Sequence, residues 1–160
     1  MVNNVIKLID FAELFDFTNG KIYMFGWSRG AMQTYIVLSR DSRIDAAVAG
    51  AGPTDIARSY NERSYGMRQV YINRIGGPPD AYPDEYATRS AVCWPDAIDT
   101  PLFIVHGTSD ERVDASHSIE LYDAMHALGK DVRLSLYPDM DHSDPSWAFM
   151  SDYFYWLKQH

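Results

Sequence analysis

Residues 26–30 read Gly-Trp-Ser-Arg-Gly, a G-x-S-x-G pentapeptide centred on Ser28. A hydroxyl in such a turn suits nucleophilic attack on a carbonyl. The glycines let backbone pass close to a sharply turned serine, and a helix starting beneath it favours developing negative charge. The pattern alone is weak, since at about 7% Gly and a similar share of Ser roughly one chain in twenty of this length contains it by chance. Its setting says more. Asn19-Gly20 signals a turn, residues 21–25 read as a buried strand, and residues 29–40 read as a helix with Met32, Tyr35, Ile36 and Leu38 as apolar surface. Strand, turn and helix in that order are what a nucleophile elbow requires.

A serine of this kind needs a base. Of the five histidines, His106 falls at a strand end, His117 and His126 on a surface helix, and His160 ends the chain. His142 lies in the loop 139–144, directly after a strand ending at Tyr137. That is the carboxyl edge of the sheet, where open α/β sheets keep their sites. The base in turn needs an acid to hold its tautomer and stabilise its protonated form. Asp110 follows the strand 101–107 at the same edge; Glu111 and Asp114 are alternatives, more readily read as loop charge or helix cap. Ser28, Asp110 and His142 run in the chain order of α/β-hydrolase triads.

These loops need elements to hold them. Residues 2–15 place Val5, Ile6, Leu8, Ile9, Ala12 and Leu14 at the spacing of an amphipathic helix. Residues 46–52 form a short strand of small residues, and residues 101–107, bounded by Pro101 and Gly107, are the clearest strand. A helix over 115–128 stops at Gly129, and a strand over 132–137 ends at Pro138. Asp144 and Pro145 cap and open a last helix with Trp147, Met150, Phe154 and Leu157 on one stripe. Such alternation predicts an α/β fold, a mostly parallel sheet with helices on both faces. Residues 53–98 break the rhythm as a helical insertion, with helices near 56–75 and 83–90, inside a single domain spanning 1–160. There Tyr60, Tyr65, Tyr71, Arg68 and Trp94 are candidates to line an acyl or peptide pocket, with packing of the insertion onto the sheet as the competing reading.

Composition narrows the function classes. With 46% hydrophobic and 22% charged residues in 160, the chain is globular, which excludes disorder and collagen-like repeats. Its net charge of −8 argues against nucleic acid or an anionic membrane as partner. No apolar run approaches the roughly 18 residues of a membrane span. No signal-peptide pattern is visible, so a cytoplasmic setting is expected. The lone Cys93 rules out a disulfide within the chain and argues against a cysteine-built metal site.

The segments GWSRGA (26–31), EYATRSAVCWPDAIDTPLFIVHGTSDERV (85–113) and LYDAMHALGKDVRLSLYPDMDH (121–142) resemble the catalytic domain of the prolyl-oligopeptidase family of serine peptidases, which has the α/β-hydrolase fold. The likeness runs from about residue 20 to the C-terminus. It implies Ser28 as nucleophile, Asp110 as acid, His142 as base and the backbone N–H of Arg29 as an oxyanion donor. It implies a peptide or small ester as substrate, with no metal or organic cofactor. Ala31 stands where the family usually adds a glycine. The family also has several strands and helices before the elbow, among them a loop that supplies a second oxyanion donor. This chain begins one helix before the elbow strand, so a partial α/β-hydrolase lacking that donor is expected. Strand 21–25 then becomes a sheet edge, open to pairing with a second copy or a companion chain. Two functions compete on these grounds: a serine hydrolase, and a catalytically weak fragment that acts as an association module.

Overall fold

The structure, a computed structural model, describes residues 2–15, 19–143 and 147–160. Four parallel strands, β1 (Tyr23–Trp27), β2 (Ala46–Gly50), β3 (Leu102–Gly107) and β4 (Val132–Tyr137), lie side by side in chain order. The helices are α1 (Val2–Ala12), α2 (Arg29–Leu38), α3 (Ile56–Glu62), α4 (Tyr65–Ile75), α5 (Pro83–Ala87), α6 (Ser116–Ala127) and α7 (Trp147–Gln159). The expected α/β class and parallel sheet are what the chain adopts.

Successive crossovers step in one direction across the sheet, which puts α2 and α6 on the same face. With α1 they bury Ile9, Tyr35, Leu38, Leu121 and Met125 against Ala47, Ala49, Leu102 and Ile104. On the other face α7 packs Phe149 and Trp156 over Val48, Phe103 and Val105. β3 therefore sends alternate apolar side chains into two cores, as a central parallel strand does. The small residues after β1 and β2 let α2 ride close to the sheet: a Cβ on Gly52 would lie 2.5 Å from that of Ala31. Ala31 is accommodated because a glycine faces it.

Several elements differ from expectation. β1 starts at Tyr23 and runs on to Trp27, while its position at the sheet edge, paired among the described residues with β2 alone, is the one expected of it. Tyr23 and Phe25, expected to be buried, are exposed, because α7 reaches only the inner part of this edge, where Phe25 stacks on Phe149 at 6.0 Å. In α1 only Ile9 is buried, while Leu8, Phe11 and the following Leu14 are exposed. The α7 seam runs through Phe149 and Trp156, and Phe154 is exposed. Asp144, Pro145 and the side chain of Trp147 lie outside the described residues.

The segment between β2 and β3 holds α3, α4, α5 and two 3-10 turns, Ala91–Cys93 and Pro95–Ala97. His117, expected on a surface helix, is fully buried and ties this segment to α6. Its Nδ1 accepts from the N–H groups of Thr54 (3.2 Å) and Asp55 (3.3 Å), and its backbone carbonyl accepts from the Thr54 hydroxyl at 2.6 Å. Nε2 faces the Glu62 carboxylate at 3.1 Å. Burial, helped by the nearby Arg58 cation, holds the His117 pKa below its ordinary 6.5. Between 6.5 and that lower value the unfolded chain binds more protons than the folded one, so stability falls as pH falls. Thermal melts should lose Tm from about pH 7.5 to about pH 5.5, and His117→Asn should lower Tm at the upper pH while flattening the slope. An unchanged slope in the variant would deny His117 this part.

Candidate active site

The strand register sets the level of the site. Trp27 pairs with Gly50, Gly50 with Val105, and Val105 with Ser135. The carboxyl ends of the strands are thus in line, and Ser28, Asp110 and His142 all stand just beyond them.

Ser28 continues the ladder by donating its N–H to the Gly50 carbonyl at 2.7 Å, then turns the chain at once into α2. Its backbone takes φ 56° and ψ −118°, a conformation that costs a non-glycine residue about 1–3 kcal/mol and persists only where the surroundings impose it. The imposing contact lies at Gly26, where a Cβ would meet the Gly30 carbonyl oxygen at 2.4 Å. Gly30 differs from expectation, since a Cβ there meets nothing. Ser28 is also the N-cap of α2, yet its hydroxyl makes no capping bond. The hydroxyl instead lies 2.8 Å from His142 Nε2. Arg29 opens α2, and a first helical residue has no intrahelical acceptor for its N–H, which leaves that donor at the elbow.

His142 Nδ1 lies 2.7 Å from Asp110 Oδ2. An ionised carboxylate only accepts, so Nδ1 carries the proton and the Nε2 lone pair faces the Ser28 hydroxyl. Asp110 also accepts from the N–H groups of Arg112 and Val113, both at 2.9 Å. Burial opposes its ionisation, but hydrogen bonds from His106, Val113, His142 and Arg112 outweigh it and hold the carboxyl well below the usual carboxylate range. The alternatives do not reach His142: Glu111 is exposed, and Asp114 accepts the Ser116 N–H at 2.9 Å at the start of α6.

Two supporting residues were not legible as such. His106, buried in β3, has Nε2 2.9 Å from the Val113 carbonyl and 3.3 Å from Asp110 Oδ2, and Nδ1 2.6 Å from the Ser118 hydroxyl. A carbonyl only accepts, so Nε2 bears the proton and the ring braces the loop that carries Asp110. The histidine before a loop glycine was the available signal. Trp27 donates its indole N–H to the His142 carbonyl at 2.8 Å, which pins the histidine loop to the elbow. Its ring lies against Gly50, where a Cβ would come within 2.1 Å.

A cavity of about 700 Å³ opens beside Ser28 and Arg29, walled by α2, α3, α4 and the residues around α5. Of the five pocket candidates, Tyr71 lines it. Tyr60 packs edge-on against Tyr71 and Tyr86, and Tyr65 is exposed. Arg68 is spent on the carbonyls of Tyr60, Asn61 and Arg63, and Trp94 donates to the Ala87 carbonyl at 3.0 Å. Packing wins for Tyr60, Arg68 and Trp94, while the exposed Tyr65 neither lines the cavity nor packs onto the sheet.

Comparison with known proteins bears on this constellation. The sequence pattern of the prolyl oligopeptidase family matches residues 2–160. The peptidase YtmA of Bacillus subtilis is 29% identical over 126 residues, which cover 78% of this chain and 49% of that protein. Dipeptidyl aminopeptidase A of Saccharomyces cerevisiae is 27% identical over 145 residues, 86% of this chain and 15% of that one. Porphyromonas gingivalis dipeptidyl peptidase 4 matches in structure with a TM-score of 0.79, at 19% identity, over 99% of this chain and 22% of its own, a likeness of fold. The matched stretch is about half the length of the Bacillus relative and a smaller share of the others. A family pattern that runs through nearly the whole described chain, on a sheet that presents G-x-S-x-G at its carboxyl edge, means that the chain belongs to the prolyl oligopeptidase family.

Proposed function

We propose that the chain is a serine hydrolase that cleaves peptides or esters by acyl transfer, with Ser28, His142 and Asp110 acting together in one domain. The observation that carries this is the unbroken hydrogen-bonded line from Asp110 Oδ2 through both ring nitrogens of His142 to Ser28 Oγ, at 2.7 and 2.8 Å. His142 Nε2 takes the hydroxyl proton as Ser28 Oγ bonds to the substrate carbonyl carbon. The oxyanion so formed accepts the Arg29 N–H, and Asp110 stabilises the imidazolium. Collapse expels the amine or alcohol, which leaves with the proton from His142. Water, activated by the same imidazole, then releases the acid and restores Ser28. A fluorophosphonate probe read by intact mass tests the assignment: one adduct should form on the folded chain and none on Ser28→Ala. An adduct that survives in the variant, or none on the folded unmodified chain, would overturn it.

A second function is favoured by β1. Its outer side has no strand partner among the described residues, and Tyr23 and Phe25 are exposed on it. An apolar edge with free N–H and C=O groups is a template for another strand. Sedimentation velocity should then show dimers or larger species, and co-expression with the N-terminal half of a related hydrolase should reduce self-association and raise the esterase rate. A monomer that persists at high concentration, with slow amide exchange in residues 23–27, would remove association from the proposal.

A further inference from the structure

We infer that the cavity beside Ser28 recognises a carboxylate carried by the substrate, so that acidic peptides or esters are the preferred class; this rests on Ser28 as the nucleophile. The chain carries net charge −8, yet Arg29, Arg40, Arg63, Arg74 and Arg89 all line this one cavity, five of its fourteen Lys and Arg residues. They converge from the start and end of α2, the end of α3, α4 and the turn after α5. One carboxylate, Glu85, shares the lining, and it is held by Arg89 at 2.6 Å.

Of the five arginines elsewhere, three are paired with carboxylates, while Arg68 is spent on carbonyls and Arg112 has no carboxylate partner among the described residues. Arg43 meets Asp10, Glu13 and Asp41, Arg58 meets Glu62 and Glu120, and Arg133 meets Asp152. By contrast Arg29, Arg40, Arg63 and Arg74 have no carboxylate partner among the described residues. Arg63 goes further: its Nε is buried from solvent and has no acceptor. A buried, unpaired donor of a cationic group is costly and uncommon. Its position is built, because Arg68 locks the turn that carries it, donating to the carbonyls of Tyr60 (3.1 Å), Asn61 (2.6 Å) and Arg63 (2.9 Å).

Like charges gathered in a walled cavity repel one another more than they would in water, and an anion reverses the sign of that term. The guanidinium fork matches a carboxylate with two parallel hydrogen bonds. Met32, Ile36, Ile56 and Val70 line the same space and suit the apolar stem of an acidic side chain or the body of a terminal residue. A neutral amide of the same shape offers one accepting oxygen where a carboxylate offers two, and it brings no charge, so it cannot take both bonds of the guanidinium fork and discrimination falls on the carboxylate itself.

The test measures binding to Ser28→Ala, which turns nothing over and so is independent of whether Ser28 is the nucleophile; the fluorophosphonate adduct decides that separately. One arm compares acetylated, amidated peptides that differ only as Glu against Gln. The other compares a neutral peptide as free acid against its amide. The acidic member of one arm should bind about tenfold tighter or more, the value of one charge-assisted hydrogen bond. Preference in the first arm assigns the carboxylate to a side chain, and in the second to a C-terminus. The preference should weaken with salt and collapse in Arg63→Met. Arg74→Gln, at an exposed position, should reduce it too and guards against misfolding of the first variant. No preference in either arm, or a preference that both arginine variants retain, would overturn the inference.

Discussion

Ser28→Ala and His142→Ala should each remove nearly all measurable ester or peptide hydrolysis, and the double variant should fall little further. The reason is geometric. His142 Nε2 is 2.8 Å from Ser28 Oγ, so neither group activates the reaction without the other. Groups that act as a unit lose the same rate once, a drop of about 10⁴–10⁶ when either is removed. Losses that simply multiplied would refute the assignment. Asp110→Asn keeps the shape but turns an acceptor into a group that can donate toward Nδ1, which favours the wrong imidazole tautomer and lowers the rate by up to about 10⁴. Glu111 is exposed and Asp114 is occupied at Ser116, so neither should rescue the variant. Ser28→Gly should be as inactive as Ser28→Ala yet melt higher, because glycine takes a φ of 56° without the strain that serine bears. Steady-state rates with an activated ester, and Tm for each variant, check the whole set.

Gly107→Ala should cost more activity than any other single methyl group added near the site. A Cβ at Gly107 would lie 1.9 Å from the Met140 carbonyl oxygen and 2.6 Å from its carbon. That contact is backbone, with no flexible end to give way. Thr108 and Ser109 donate to the carbonyls of Tyr137 and Met140 at 3.0 and 3.2 Å, so the loops bearing Asp110 and His142 are laced together at this point. Forcing them apart loses those bonds and shifts His142 against Ser28. The expected effect is about 1–3 kcal/mol of stability from overpacking, and about 10²-fold or more in rate, as for a misplacement of about 1 Å. Gly30→Ala is the matched control, since the added methyl meets nothing there. Equal rates for the two variants would mean that the two loops yield without consequence.

The amino-acid sequence by itself determined the order of elements, the elbow and the three residues in their chain order. Those features are local: a turn pair at Asn19-Gly20, an unbroken apolar run through residues 102–105, and the glycine stop at Gly129 are each written within a few neighbouring residues. It could also select His142 and Asp110, because a residue just after a parallel strand is carried to one edge of the sheet wherever the strand sits. What it could not decide were the burial and pairing of side chains that meet across long separations. His117 lies on a helix whose pattern reads as surface, yet residues from the insertion, 62 and 63 positions away, close over it. His106 becomes a brace for Asp110, and Trp27 a pin on His142, only once register levels the strand ends. β1 reads as a buried strand from its apolar run, but hydropathy counts apolar residues and not the neighbours available to cover them; with a partner on one side only, Tyr23 and Phe25 stay in solvent. The arginines show the limit most clearly. Spread from residue 29 to residue 89, they look like ordinary surface charge in the chain, and only the folding of α2, α3, α4 and α5 around one cavity brings their charges together beside Ser28.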